Sequence, residues 1–190
     1  MNENIYFETI KCEDFEIFNL EYHNKRVANT IGLNINLQEY IYPLNEELLR
    51  CKVAYNDFEV LNVEYFPYKK REINSFKLIF DDEIDYSKKY LNREKLDNLF
   101  LEKEDCDEII IVKNGMVTDT SIANIAIFYE NMWITSKNCL LKGTTRARLL
   151  EEKFLVEKDI SVKMLKEASK IALMNAMIGF DIKENYSFNV

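Results

Sequence analysis

Apolar residues in this chain fall in short clusters broken by charged and amide-rich stretches, and their spacing changes along the sequence. Ile5 to Cys12 and Glu16 to Asn19 read as the two strands of a hairpin, with Glu13-Asp14 near the turn. Leu20 to Ile31 has helical spacing, with Asn19 placed as its cap and Gly32 as its stop. A helical turn is expected over Asn45 to Leu49, followed by three β-rich segments, Lys52 to Tyr55, Val60 to Phe66 and Phe76 to Phe80. The acidic run Asp81-Asp82-Glu83, with Asp85, reads as a solvated crossover. Beyond it the pattern predicts a helix over 91–102, strands over 108–113, 123–129 and 132–135, a helix over 144–153, a short helix over 161–167 and an apolar segment over 169–180. Strands and helices mix without a βαβ rhythm, which favours an α+β architecture. Two lobes are expected: a small α/β lobe over 1–82, a connection at 83–86, and a larger lobe over 87–190.

Composition narrows the function classes. With 47% hydrophobic and 31% charged residues in 190, the chain is an ordinary globular protein and not a disordered one. A net charge of −8 disfavours a broad basic face for nucleic acid, and the one dense basic run, Lys69-Lys70-Arg71, reads as a solvated turn. No apolar run approaches the ~20 residues that span a bilayer. The first residues lack the basic start and apolar stretch of a secretory signal, so a cytoplasmic location is expected. Four scattered cysteines, no CxxC and a single histidine argue against a zinc site and a disulfide framework, and no metal is expected.

The stretch from Glu108 to Arg148 holds the densest chemistry. It contains a turn at Asn114-Gly115, the polar segment Thr118-Asp-Thr-Ser-Ile-Ala-Asn124, and Gly143-Thr-Thr-Arg146 opening a helix. Free backbone N–H groups and hydroxyls at such a helix start suit a phosphate. Thr144 and Thr145 are therefore candidate phosphate ligands, and Arg26 is a candidate guanidinium for the same group. Lys89, with Lys88 and Arg93 nearby in sequence, is a candidate Schiff-base lysine. Asp119 is a candidate carboxylate for a pyridine nitrogen. Lysine, acid and phosphate cradle together are what pyridoxal phosphate (PLP) requires. Each also has an ordinary reading: a surface lysine pair, a turn aspartate, a threonine cap, a solvated helical arginine, and for His23 a structural histidine.

Taken in order, these segments resemble the class IV aminotransferase family, the fold-type IV PLP enzymes. Phe7-Glu-Thr-Ile10 is similar to the family's FET[IL], and His23-Asn-Lys-Arg26 to its HxxR. Lys89-Tyr-Leu-Asn-Arg93 resembles K-T-x-N-R, Gly115 to Asn124 resembles G-x-[VL]-T-E-x-x-x-x-N, and Gly143 to Arg146 resembles G-[IV]-T-R. The resemblance implies a two-lobed D-amino-acid-aminotransferase-like fold, shortened at the N-terminus, and a homodimer. It also implies that Lys89 rather than Lys88 carries the cofactor, and that Arg26, Thr144 and Thr145 meet its phosphate. Asp119 stands where the family has glutamate. Leu173 to Gly179 resembles the N-[SA]-L-x-G pattern of the 4-amino-4-deoxychorismate lyases, which makes Asn175 a further cofactor-binding residue, and Asn92-Arg93 suits the same branch. The implied activity is a PLP-dependent lyase forming 4-aminobenzoate and pyruvate for folate biosynthesis. The alternatives are a class IV aminotransferase acting on branched-chain or D-amino acids, and a shortened non-catalytic relative. Arg71 and Arg93 are assigned to a substrate carboxylate from charge alone.

Overall fold

The computed structural model describes residues 4–189. They form two compact units. The first comprises residues up to Lys70 together with Lys88–Asn92, and the second comprises Arg71–Ser87 together with residues from Arg93 onward. The boundary expected at 83–86 therefore lies inside the second unit, because Ser75–Phe80 is a strand of the larger sheet.

The first unit is built on β1 (Tyr6–Glu13), which pairs antiparallel with β2 (Glu16–Ile17) and β3 (Leu49–Tyr55). β4 (Val60–Pro67) lies antiparallel outside β3, giving the order β2-β1-β3-β4. The two-residue period of β1 puts Tyr6, Glu8, Ile10 and Cys12 on one buried face, so a glutamate sits among core side chains. α1 (Leu20–Ile31) supplies Val27 to this core and buries Tyr22 and His23. Asn19 precedes α1 in the left-handed region at φ 54° and makes no side-chain cap bond; it serves as a joint instead of a cap. Gly32 ends the helix at φ 75°, its N–H donating to Ala28 O at 2.8 Å.

No helical turn forms at Asn45–Leu49. Asn45 Oδ1 accepts the Glu47 N–H at 3.0 Å in a local turn, and Leu49 already belongs to β3. A 3-10 turn forms earlier, at Leu37–Glu39. Lys88–Asn92 returns to the N-terminal end of β1: Phe7 N donates to Lys89 O at 2.9 Å, and Leu91 N to Ile5 O at 2.8 Å. That commitment explains why the helix expected from residue 91 starts at Glu94.

The second unit is organised by β5 (Ser75–Phe80), which runs parallel to β6 (Glu108–Lys113) with α2 (Glu94–Leu101) between them in sequence. β7 (Met116–Thr120), β8 (Asn124–Tyr129) and β9 (Met132–Ser136) follow antiparallel. After α3 (Thr144–Glu151) come β10 (Val156–Lys158) parallel to β9, α4 (Val162–Glu167), and the pair β11 (Lys170–Asn175) and β12 (Gly179–Lys183). β11 also pairs with β8, and β13 (Ser187–Asn189) closes the far edge parallel to β5. Ile110, Val112, Ile125, Ile127, Ile171 and Leu173 form the centre of the core. The mixed sheets and few helices make the architecture α+β. Among the described residues no helix is long and apolar enough to cross a membrane.

Candidate active site

Two polar clusters collect the expected residues, one within each unit. In the first unit, β1 presents Glu8 and α1 presents His23 and Arg26 one helical turn apart. Glu8 is fully buried, and its Oε1 accepts Arg26 Nε at 2.8 Å while Oε2 accepts Arg26 Nη2. His23 Nδ1 lies 2.5 Å from the same Oε2. Burial alone would raise the Glu8 pKa, but the Arg26 guanidinium and the His23 ring bring it down to about 2. Burial lowers the His23 pKa, with Arg26 and Lys89 acting in the same direction and Glu8 against them. The ring is therefore neutral near pH 7, and Nδ1 carries the proton that faces the carboxylate. His23 Nε2 is buried with no hydrogen-bond partner among the described residues.

The two lysines separate cleanly. Lys88 Nζ donates to Thr30 O at 2.8 Å, neutralising a carbonyl in the last turn of α1. Lys89 is half-buried with Nζ 4.6 Å from the centre of the Phe7 ring, and its backbone is fixed by the bond to Phe7. Lys88 has a structural anchor at the helix end, whereas Lys89 belongs to the Glu8–His23–Arg26 neighbourhood.

In the second unit, β7 and β8 meet at a tight turn in which Thr120 Oγ1 receives the Ala123 N–H at 2.9 Å. Asp119, on β7, is buried, with Oδ1 accepting Asn124 Nδ2 at 2.8 Å and Oδ2 accepting Leu141 N at 2.9 Å. Burial dominates and raises its pKa to about 6, against the pull of the Leu141 amide, Asn124 and Arg146. Asn124 Nδ2 also donates to Leu141 O at 2.7 Å. The same asparagine lies against Gly143: a Cβ there would fall 2.1 Å from Asn124 Oδ1. Gly143 is therefore required by close approach and not by its dihedrals, since its φ is −68°. Asn124 thus joins the carboxylate to the start of α3.

At that start Thr144, Thr145 and Arg146 are all buried, and the first intrahelical bond runs from Ala147 N to Gly143 O at 2.9 Å. The N–H groups of the opening turn thus have no intrahelical acceptor. Thr145 Oγ1 is buried with no hydrogen-bond partner among the described residues, an orphaned donor beside unspent amides. Arg146 is turned to Ser136 O at 2.9 Å and to Glu157, bracing α3 against β9 and β10. This donor set fits a phosphate monoester, and the buried carboxylate fits a protonated ring nitrogen.

The remaining expected residues gather around the Ser121–Ile122 turn. Arg93 Nη2 donates to Ser121 O at 2.9 Å, and Asn175 Nδ2 donates to Ile122 O at 3.2 Å. Asn175 Oδ1 accepts from Met177 N at 2.9 Å and Ile178 N at 3.0 Å, shaping the β11–β12 turn. Arg71 Nη2 donates to the buried Glu108 at 2.8 Å, and Glu108 Oε1 accepts Ser121 N at 3.3 Å. Glu8 and Asn124 join these clusters without being candidates from the sequence. Both lie within quoted motifs, and a carboxylate on the core face of a strand was the signal that Glu8 needed a buried partner.

Residues 87–183 match the family model described as Amino-transferase class IV, about half the chain. An uncharacterized protein of Haemophilus influenzae is 34% identical over 185 residues, covering 91% of this chain and 97% of the relative. A crystal structure from Haemophilus somnus, described as a "putative 4-amino-4-deoxychorismate lyase", aligns with a TM-score of 0.86 and 36% identity over 94% of this chain and 99% of that one. A Mycobacterium tuberculosis structure, described as "a hypothetical aminotransferase" in its PLP-bound form, has a TM-score of 0.79 at 15% identity, covering 98% of this chain and 81% of that one, a likeness of fold alone. The motifs of both clusters, the family match and a relative this similar along nearly its whole length lead to one assignment: the chain belongs to the class IV amino-transferase family.

Proposed function

We propose that this chain is a PLP-dependent lyase that converts 4-amino-4-deoxychorismate to 4-aminobenzoate and pyruvate, a step of folate biosynthesis. The observation that carries the cofactor reading is the second unit's pairing of a buried carboxylate with an orphaned threonine hydroxyl at a helix start, joined through Asn124. The lyase reading rests on the description of the 36% identical Haemophilus somnus structure and on the Asn175 motif.

When bound, PLP supplies an electron sink for the pair released at the carbon next to the substrate nitrogen. Lys89 is the amine that carries the cofactor and, once released, takes the proton from that carbon. Asp119 holds the proton of the ring nitrogen. Thr144 and Thr145 bind the phosphate through backbone N–H groups and the Thr145 hydroxyl, and Arg26 is the guanidinium for the same group. Loss of the proton with cleavage of the C–O bond to the enolpyruvyl group makes the ring aromatic. The released enol then ketonises to pyruvate, and no further reactant is needed. Arg71 and Arg93 remain the residues proposed for a substrate carboxylate, and the enzyme is proposed to act as a homodimer.

The second reading, amino-group transfer, is favoured by the family description itself. The test has two parts. Borohydride reduction of the PLP-incubated protein, followed by peptide mass mapping, is expected to place a pyridoxyl adduct on Lys89. An adduct absent or scattered over surface lysines overturns the cofactor assignment and leaves a non-catalytic relative. Pyruvate release from 4-amino-4-deoxychorismate supports the lyase. Turnover of an amino donor with a 2-oxo acid, without pyruvate release, establishes the transaminase instead.

A further inference from the structure

We infer that Glu8 is a positioning residue that, braced by His23, aims Arg26 and thereby sets the protein's preference for a phosphorylated ligand. The inference deepens the reading above and rests on its assignment of Arg26 to the phosphate. Glu8 stands on the core face of the central strand β1, where an unpaired carboxylate would be strongly disfavoured. It takes Arg26 through two bonds, Nε to Oε1 at 2.8 Å and Nη2 to Oε2, while His23 Nδ1 reaches Oε2 at 2.5 Å. The two-point grip fixes the guanidinium plane, which a single contact would leave free to rotate.

The Nε–Nη2 edge, through which an arginine meets a phosphate side-on, is spent on Glu8. Glu8 thereby dictates the orientation at which the guanidinium meets an anion. The ion pair also has little net charge, and a buried neutral His23 adds none. Arg26 then acts by directed hydrogen bonding and not as a diffuse cation, which discriminates a phosphate ester from an alcohol. His23 gives Oε2 a second partner from the same helix, so the carboxylate cannot swing away with the arginine.

The test measures affinity for PLP and for pyridoxal, which lacks the phosphate, by spectroscopic titration of the full-length protein. The readout is the ratio of the two dissociation constants, with thermal unfolding as a folding control. Glu8→Gln is expected to reduce the preference for PLP over pyridoxal at least about tenfold, the scale of one lost charge-assisted hydrogen bond. Arg26→Gln is expected to reduce it as much or more. The double variant Glu8→Gln/Arg26→Gln, which removes both charges together, is expected to match Arg26→Gln alone. If Glu8→Gln does not fold, the double variant against Arg26→Gln carries the comparison, and a further fall in the ratio overturns the inference. If Arg26→Gln lowers the ratio and Glu8→Gln leaves it intact, the positioning role is wrong while the cofactor reading stands. An unchanged ratio in both variants removes Arg26 from the phosphate site and the inference with it. Failure of the unmodified protein to bind either compound overturns the cofactor reading itself.

Discussion

Each of the two clusters has a buried carboxylate at its centre, Glu8 in the first unit and Asp119 in the second, and the two have been given opposite company. Glu8 sits among cations and imidazole; Arg26 and His23 hold it ionised down to about pH 2 despite complete burial. Asp119 is hydrogen-bonded by dipoles, the Leu141 amide and the Asn124 side chain, and with Arg146 acting on it only electrostatically its pKa still climbs to about 6. The difference is one of completion. Glu8 has its counter-charge within the chain, so it serves structure and orientation. Asp119 carries a charge that the surrounding protein only partly compensates, which is the state expected of a group built to meet a cation from outside. A protonated ring nitrogen brought against it would lower its pKa and recover stability that the cofactor-free protein lacks.

The sharpest way to break this comparison is Glu8→Ala. It leaves the Arg26 guanidinium, 13% exposed, without its main partner and is expected to cost about 3–5 kcal/mol in urea unfolding of the cofactor-free protein. A change below about 1 kcal/mol would mean that Glu8 is not completed by its neighbours. Asp119 predicts a pH dependence of the opposite sign. Its folded pKa, about 6, lies above the unfolded carboxylate value, so the folded state binds the extra proton. The cofactor-free protein should therefore lose up to about 3 kcal/mol as pH rises from about 4 to about 6, and Asp119→Asn should abolish that slope. Identical slopes for the two proteins would remove Asp119 from the argument. The Glu8 contribution runs the other way. It is fully present above the unfolded carboxylate value and is lost only as pH falls toward 2.

Gly143→Ala comes next in size. Its methyl would collide with Asn124 Oδ1, at 2.1 Å, and is expected to cost roughly 1–3 kcal/mol. Because Asn124 also binds Asp119, PLP affinity should fall with thermal stability, and a variant that unfolds earlier but binds PLP normally would uncouple the two ends of the cluster. The smallest effect belongs to Lys88→Met, which removes the bond to Thr30 O for about 0.5–1.5 kcal/mol and should leave the reduced adduct on Lys89. An adduct lost with Lys88 and kept without Lys89 would reverse their roles.

Much of this fold was legible locally. α1 has the bounds its spacing implies, Leu20 to Ile31, because an apolar stripe and a glycine stop are features of neighbouring residues. β7 was not legible as a strand, since Thr118, Asp119 and Thr120 are polar yet buried. Thr118 Oγ1 bonds Ile111 O at 2.9 Å and Asp119 bonds Asn124 and Leu141, so the hydrophobic pattern that marks a strand is absent. Nor does local pattern reveal that β5 belongs with β6, since parallel pairing joins segments separated by a helix. The site shows the same division. Lys89, Asp119 and the Gly143–Thr145 start can be recognised in short motifs. The grip of Glu8 on His23 and Arg26 spans 15 and 18 residues and exists only once β1 and α1 have packed.

The return of Lys88–Asn92 to β1 has a temporal consequence. Tyr6 pairs with Tyr90, Phe7 with Lys89 and Ile5 with Leu91, yet the chain between residues 71 and 87 belongs to the other unit. During synthesis from the N-terminus, the small sheet can begin as soon as β3 emerges from the ribosome but cannot be finished until residue 92 has followed. The lysine-bearing segment is thus the last piece of the first unit to arrive, and a nascent chain halted before it would present an incomplete edge of β1 to whatever chaperone is at hand.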